Sequence, residues 1–252
     1  MDLFPSPDET LDPFFNGALH VLQKKKGYRF SIDALLLSRF IHLRKNEKAI
    51  DLGTGCGILP LLLSTTAKTH SFVGIEIQNE LATLARRNVA LNHLEERISI
   101  LHHDFRKLRR VFPPASFHVA FSNPPYRKSH TGRVNPVIEK AIARHEIKGT
   151  LDDLIRIATY LLPAKGRFYL VYSPSRATDL LIVLRHHQLE PKRLQFVHPR
   201  IGEHAKFLLV ESVKDSGVEL KIMEPLVLDG ASLPPFSKPG HTENRRAASR
   251  KR

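Results

Sequence analysis

At 252 residues, 42% hydrophobic and 25% charged, the chain can bury one substantial core, which predicts a single globular domain with appendages. No apolar run approaches the roughly 18–20 residues that cross a bilayer, and the opening M-D-L-F-P-S-P-D-E-T lacks the charged-then-apolar order of a signal peptide, so a soluble, cytoplasmic protein is expected. The lone Cys56 excludes an internal disulfide and a thiolate zinc cluster, the 14 histidines show no metal spacing, and the net charge of +14 favours a polyanionic partner.

Part of that charge is terminal. Six Lys/Arg and one Glu lie from Lys238 onward, leaving an excess of nine positive charges on the rest. It gathers in clusters: Lys24 to Lys26, Arg86-Arg87, Arg106-Lys107 with Arg109-Arg110, and Arg127-Lys128 with Arg133.

Taken in chain order, Y-R-F-S-I-D-A-L-L-L-S-R-F-I predicts a capped helix with Ser31 or Asp33 at its start, ahead of the first core strand. Short apolar runs then alternate with amphipathic stretches of helical length. Strands are predicted near 48–52, 71–76, 97–101, 117–122, 167–173, 193–198 and 205–212, and helices over 57–67, 79–94, 151–162 and 175–188. The expected fold is α/β: a Rossmann-like, seven-stranded, mostly parallel sheet with helices on both faces, one antiparallel strand at its edge, and a short N-terminal helical extension. Residues 1–229 form this domain. Residues 230–252, rich in Pro, Ser and Arg, are expected to be a disordered basic tail.

The first strand ends in A-I-D-L-G-T-G-C-G-I-L, placing Asp51, Gly53, Gly55 and Gly57 in a D-x-G-x-G-x-G pattern before a helix. Such glycines let backbone approach a ligand closely. Ile58 breaks the G-x-G-x-x-G spacing of a dinucleotide site, and Asp51 is a poor neighbour for a pyrophosphate, so the loop suits a ligand without phosphates. Glu76 ends the next strand, where a carboxylate can accept both hydroxyls of a ribose. One strand further, Asp104 can accept from an adenine amine, and Phe105 can lie against the ring. After the fourth strand, S-N-P-P-Y-R sets two prolines where a sheet would need N–H donors, so Pro124 and Pro125 end the strand and fix the loop. Loops at that end of an open α/β sheet are where ligands bind.

Together these residues resemble the class I S-adenosylmethionine-dependent methyltransferases over about residues 28–212. The resemblance implies S-adenosyl-L-methionine as cofactor, held by Asp33, Asp51, Gly53, Thr54, Gly55, Gly57, Glu76, Asp104, Phe105 and Asn123. Within that class, N-P-P-Y resembles the motif of enzymes that methylate a planar, conjugated nitrogen. It implies catalytic roles for Asn123, Pro124, Pro125 and Tyr126: the Asn123 side-chain oxygen and the Pro124 carbonyl accept the two amine hydrogens, which localises the lone pair, while Tyr126 stacks on the base. Arg127, Lys128 and Arg133 are the expected RNA contacts, and no metal, membrane or obligate protein partner is expected.

Protein glutamine methyltransferases carry the same loop but usually a long N-terminal helical domain, and DNA adenine methyltransferases a substantial recognition domain. E-T-L-D-P-F-F-N-G-A-L-H-V-L-Q-K-K-K-G-Y-R-F-S-I-D-A-L-L-L-S-R-F-I, S-N-P-P-Y-R-K-S-H-T-G-R-V-N-P-V-I-E-K-A-I-A-R-H-E and K-G-R-F-Y-L-V-Y-S-P-S-R resemble instead the bacterial family that methylates N6 of adenosine 37, beside the anticodon of a valine tRNA. That family implies tRNA as partner. Another planar nitrogen, in an rRNA or DNA base or a glutamine amide, is the alternative substrate, and a non-catalytic RNA-binding protein retaining the fold is the alternative of another class.

Overall fold

Two strands open the chain, β1 (Glu9–Phe14) and β2 (Leu19–Lys24), paired antiparallel; the computed structural model describes residues 3–15, 17–26, 29–66, 71–124 and 149–229. Helix α1 (Ile32–Phe40) follows. The predicted helix is therefore present, but the extension before the core is largely a hairpin and not helical. Asn16-Gly17, between two runs rich in β-formers, is the turn signal that marks it.

Every predicted core element is present. They are β3 (Lys48–Leu52), α2 (Ile58–Thr66), β4 (Ser71–Glu76), α3 (Asn79–Leu91), β5 (Ile98–His102), β6 (Val119–Ser122), α4 (Leu151–Leu161), β7 (Arg167–Tyr172), α5 (Ala177–His186), β8 (Leu189–His198) and β9 (Phe207–Lys214). Short strands β10 (Lys221–Ile222) and β11 (Leu226–Val227) extend the sheet beyond β8.

The strand order is β8-β9-β7-β6-β3-β4-β5 across the core. Neighbours from β7 to β5 are parallel, whereas β9 runs antiparallel to both β7 and β8. The antiparallel strand is thus inside the sheet and not at its edge. Phe207-Leu208-Leu209-Val210 is buried without alternation, as a strand covered on both faces must be. By contrast β8 alternates buried with half-buried residues.

Side chains divide by parity between two cores. Ala49, Val119, Phe121, Tyr169 and Val171 join α1, α2 and α3 on one face, whereas Ile50, Leu52, Ala120, Phe168, Leu170 and Tyr172 join α4 and α5 on the other. Order reverses between β3 and β6, from which the strands proceed to opposite edges. This is the switch point at which an open α/β sheet leaves a crevice.

Asn88 of α3 and Asn92, the residue that caps its carboxyl end, attach the hairpin. The Asn88 side-chain oxygen accepts from Leu22 N at 2.7 Å, and its amide donates to Leu22 O at 3.1 Å and Cys56 O at 2.9 Å. Asn92, one turn on, accepts from His20 N at 2.9 Å and donates to His20 O at 2.7 Å. Four helical residues rise about 6 Å and two strand residues about 6.7 Å, so side-chain amides at i and i+4 can stand in for a neighbouring strand. Glu9 of the hairpin accepts from Arg87 Nη1 at 2.8 and 2.9 Å. Because Asn88 is fully buried, Asn88→Ala leaves three buried backbone groups short of a partner. It should lower the unfolding free energy in urea by about 2–4 kcal/mol; a loss under about 0.5 kcal/mol would show that the amide bonds are dispensable.

Candidate active site

Parallel register aligns four strand ends on one edge. Asp51 of β3 lies opposite Phe121 of β6 and Gly74 of β4, and Glu76 of β4 lies opposite His102 of β5. Along this edge the order is Asn123, Asp51 with the glycine loop, Glu76, and Asp104. The candidate carboxylates come from three adjacent strands, and Asn123 stands across the switch point from them.

The loop after β3 is built on left-handed turns, with φ of 86° at Gly53 and 84° at Gly57. Gly53 N and Thr54 N both donate to Ile75 O at 2.9 Å, folding the loop back over β4. A side chain on Gly74 would have no room, since its Cβ would fall 2.9 Å from Thr54 Oγ1 and 2.8 Å from Ile100 Cδ1. The space this glycine leaves lets the Thr54 hydroxyl donate to Asp51 Oδ2 at 2.7 Å. Gly74 is a site residue that the motifs do not reveal, though a glycine inside an apolar strand marks close approach.

Asp51 is 1% exposed, and its Oδ1 is buried without a hydrogen-bond partner. Burial pushes its carboxyl up to about 7, opposed by the Thr54 hydrogen bond and aided by the charge on Glu76. Such an oxygen is poised to accept from a cationic donor. The Glu76 oxygens are each taken once, Oε2 by Gly55 N at 2.9 Å and Oε1 by Gln78 N at 2.8 Å. A carboxylate oxygen accepts two bonds, so each retains one acceptor site for a diol. These acceptors thus fit the amino group and the ribose of S-adenosylmethionine.

Asp104 has local duties as well. It caps a 3₁₀ turn over Phe105–Arg110, accepting from Arg106 N at 3.0 Å, and pairs with the Arg106 guanidinium, the Nη2 contact being 2.7 Å. Burial opposes its ionisation, but the bonds from Arg106 outweigh it and hold the carboxyl below the ordinary range. The Phe105 ring packs into the core beside α4, and its tip meets Gly149, whose added Cβ would fall 2.4 Å from Cζ. Asp33 lies in the first turn of α1, where its Oδ1 accepts from Ser31 Oγ at 2.6 Å and Ala34 N at 2.9 Å.

Asn123 and Pro124 are half-buried just past β6. Ser122, also absent from the predicted set, donates from Oγ to Leu52 O at 2.6 Å. That bond ties the ends of β6 and β3 and sets Asn123 beside the glycine loop. Pro125, Tyr126, Arg127, Lys128 and Arg133 lie outside the described residues. Among the described residues no group of His, Cys, Asp and Glu is placed to hold a metal ion, and no helix is long and apolar enough to cross a membrane.

The model of the methyltransferase small domain matches residues 31–182. A tRNA1(Val) (adenine(37)-N6)-methyltransferase of Aeromonas salmonicida is 26% identical over 194 residues, 76% of this chain and 79% of the relative. The protein of the same name from Porphyromonas gingivalis is 32% identical over 167 residues, 66% of this chain and 65% of its own. Among solved structures, a predicted O-methyltransferase of Agrobacterium tumefaciens superposes with a TM-score of 0.65 at 24% identity, over 81% of this chain and 92% of that one. This last likeness bears on the fold.

The Asp51 carboxyl yields a pH test. Folded, it keeps its proton to about pH 7; unfolded, it loses it near pH 4. The folded state therefore binds the extra proton in between, and its stability declines as pH rises through that window. Asp51→Asn removes the titration. Without cofactor, the variant's unfolding free energy relative to wild type should rise by on the order of 2–4 kcal/mol from pH 4 to pH 8; parallel profiles would contradict the raised pKa.

Proposed function

Since the chain belongs to the methyltransferase small-domain family, matched over residues 31–182, we propose that it transfers a methyl group from S-adenosylmethionine to N6 of an adenosine in tRNA. Adenosine 37 of a valine tRNA is the target carried in the names of its relatives. The observation that carries this reading is the position of Asn123 just past β6, whose end Ser122 ties to the end of β3, on the same edge as Asp51, Glu76 and Asp104 and across the switch point from them. A carboxamide there has the use that an exocyclic amine gives it.

Bound in this crevice, S-adenosylmethionine supplies an electrophilic methyl on sulfur. The chain's own residues hold and orient. Asp51 Oδ1 accepts from the amino group, which returns a partner to the buried oxygen and favours the ionised carboxylate as a cation arrives. The two remaining acceptor sites of Glu76 take the ribose hydroxyls. Asp104 meets the adenine, half-buried Phe105, packed beside α4, bounds that end of the crevice, and Asp33, in the first turn of α1 beside α2, completes the methionine end. Arg106 shares Asp104 with the adenine amine, since each carboxylate oxygen has more than one acceptor direction.

On the substrate side, the Asn123 oxygen and the Pro124 carbonyl take the two hydrogens of the target amine. Delocalisation makes that nitrogen a poor nucleophile. Holding both hydrogens turns the lone pair toward the methyl and stabilises the positive charge that grows on nitrogen. Pro125 fixes the acceptors, Tyr126 stacks on the flipped base, and Arg127, Lys128 and Arg133 contact the RNA. An anticodon-loop adenine is easily unstacked, which keeps the cost of extrusion modest. We take residues 1–229 as one methyltransferase domain acting on tRNA in the cytoplasm, and 230–252 as an appended basic tail that aids RNA capture.

Asn123 gains its contact as charge develops and so acts on the chemical step. Asn123→Ala should bind tRNA and S-adenosylmethionine nearly as wild type does, yet transfer methyl at least about a hundredfold more slowly in single turnover at saturating tRNA. A variant as fast as wild type would remove the N-P-P-Y loop from the mechanism.

A further inference from the structure

Among the described residues, several members of the basic clusters are engaged within the molecule. Lys24 pairs with Asp8 at 2.9 Å and with Glu9 at 3.4 Å. Arg86 Nε donates to Ile100 O at 3.1 Å, and Arg87 is taken by Glu9 and by Phe4 O. Arg106 is committed to Asp104. Among the described residues of these clusters Lys25 and Lys26 also stay exposed, and the densest group is on the 3₁₀ turn over Phe105–Arg110, where Lys107, Arg109 and Arg110 are exposed.

The turn's geometry explains how they are displayed. A 3₁₀ helix repeats every three residues, so positions i and i+3 eclipse, about 6 Å apart along the axis. Phe105 and Leu108 form the row that packs into the core beside α4. Arg106 with Arg109, and Lys107 with Arg110, then form two outward rows. Six such residues are more than a 3₁₀ turn usually sustains; here Asp104 caps the start and Leu108, fully buried, pins the middle.

The acids that α4 brings to this turn are already engaged. Asp153 caps its own helix with Thr150 and pairs with Arg156, and Asp152 bonds His187 at 2.7 Å. Among the described residues Lys107, Arg109 and Arg110 form no salt bridge, although the charge of Lys107 also acts on Asp104. The Arg109 guanidinium lies over the Tyr160 ring, 4.7 Å from its centroid. A stacked guanidinium is held in one plane with its N–H edge outward, the geometry that meets a phosphate with two parallel bonds.

We propose that Lys107, Arg109 and Arg110, on the outward rows of this 3₁₀ turn, bind phosphates of the RNA strand, with Arg109 as the oriented fork, Lys107 as a point charge and Arg110 as a second guanidinium. The proposal rests on the tRNA reading and adds a surface to it. The turn begins directly after Asp104, so RNA seated on it runs along the carboxyl edge that holds the reactive groups.

Binding of the full chain to an unmodified valine tRNA transcript, measured against salt concentration, tests this. Wild type should show log K falling linearly with log salt, and Lys107→Gln/Arg110→Gln should make that slope shallower by about 1.4–1.8, the counterion release of two phosphate contacts. Arg109→Lys should keep the slope, since its charge is retained, yet bind several-fold more weakly at every salt because the stacked fork is lost. Affinity for S-adenosylmethionine should not move in either. Lys45→Gln/Lys221→Gln, which removes two exposed charges away from the turn, should leave the tRNA slope unchanged. An unaltered slope in the Lys107/Arg110 variant, or an equal change in the control, would overturn the assignment. So would a variant that binds tRNA normally but loses binding to phosphatidylglycerol vesicles. A wild-type enzyme that fails to methylate tRNA would defeat the function reading itself, and is distinguished by methyl transfer measured on the same preparation.

Discussion

A carboxylate buried with one oxygen unpartnered is the constraint around which this molecule is arranged. Asp51 sits at 1% exposure with only the Thr54 hydroxyl on its other oxygen, a position that costs free energy until a donor arrives. Holding it there needs the loop folded over β4, which needs Gly74 to vacate the space and Ile75 to accept two backbone N–H groups. Glu76 fastens the far side of the same loop through Gly55. A ligand with a cationic donor beside a diol, as in the function proposed above, would return that free energy on binding.

The hairpin before the core belongs to this arrangement. Asn88 bonds the backbone of β2 with two of its contacts and the Cys56 carbonyl of the glycine loop with a third. One fully buried amide therefore fixes the hairpin, α3 and the glycine loop relative to one another. The Cys56 thiol, in the same loop, is pushed up to about 12 by burial, so it serves as a small apolar filler. At the opposite end of the sheet, Arg167 pairs with Glu47 and donates to His42 O at 2.8 Å, locking the segment after α1 to the start of β7.

Legibility followed the physics of each signal. Parallel strands covered on both faces read as continuous apolar runs, so β3, β4 and β7 stand out in the sequence. The glycine loop and the strand-end carboxylates were legible because their spacing reflects chemistry. The interior place of β9 was not, for a hairpin return reads alike at an edge or between two strands; only the unbroken Phe207-Leu208-Leu209-Val210 run hints at it. Gly74, Ser122, Asn88 and Asn92 escaped for a different reason: each works through a partner 20 to 72 residues away, and such pairings carry no local pattern. The neutralisation of Arg87 and Arg106 is likewise invisible until the chain folds, which is why counting charges overstated the basic surface.

Nucleoside analysis tests the central claim most directly. The purified chain would be incubated with isotopically labelled S-adenosylmethionine and tRNA from cells lacking this gene, and the digested nucleosides resolved by mass spectrometry. The account predicts label in N6-methyladenosine and in no other nucleoside. Label in a ring-nitrogen or carbon-methylated base, or none at all with the cofactor bound, would contradict it.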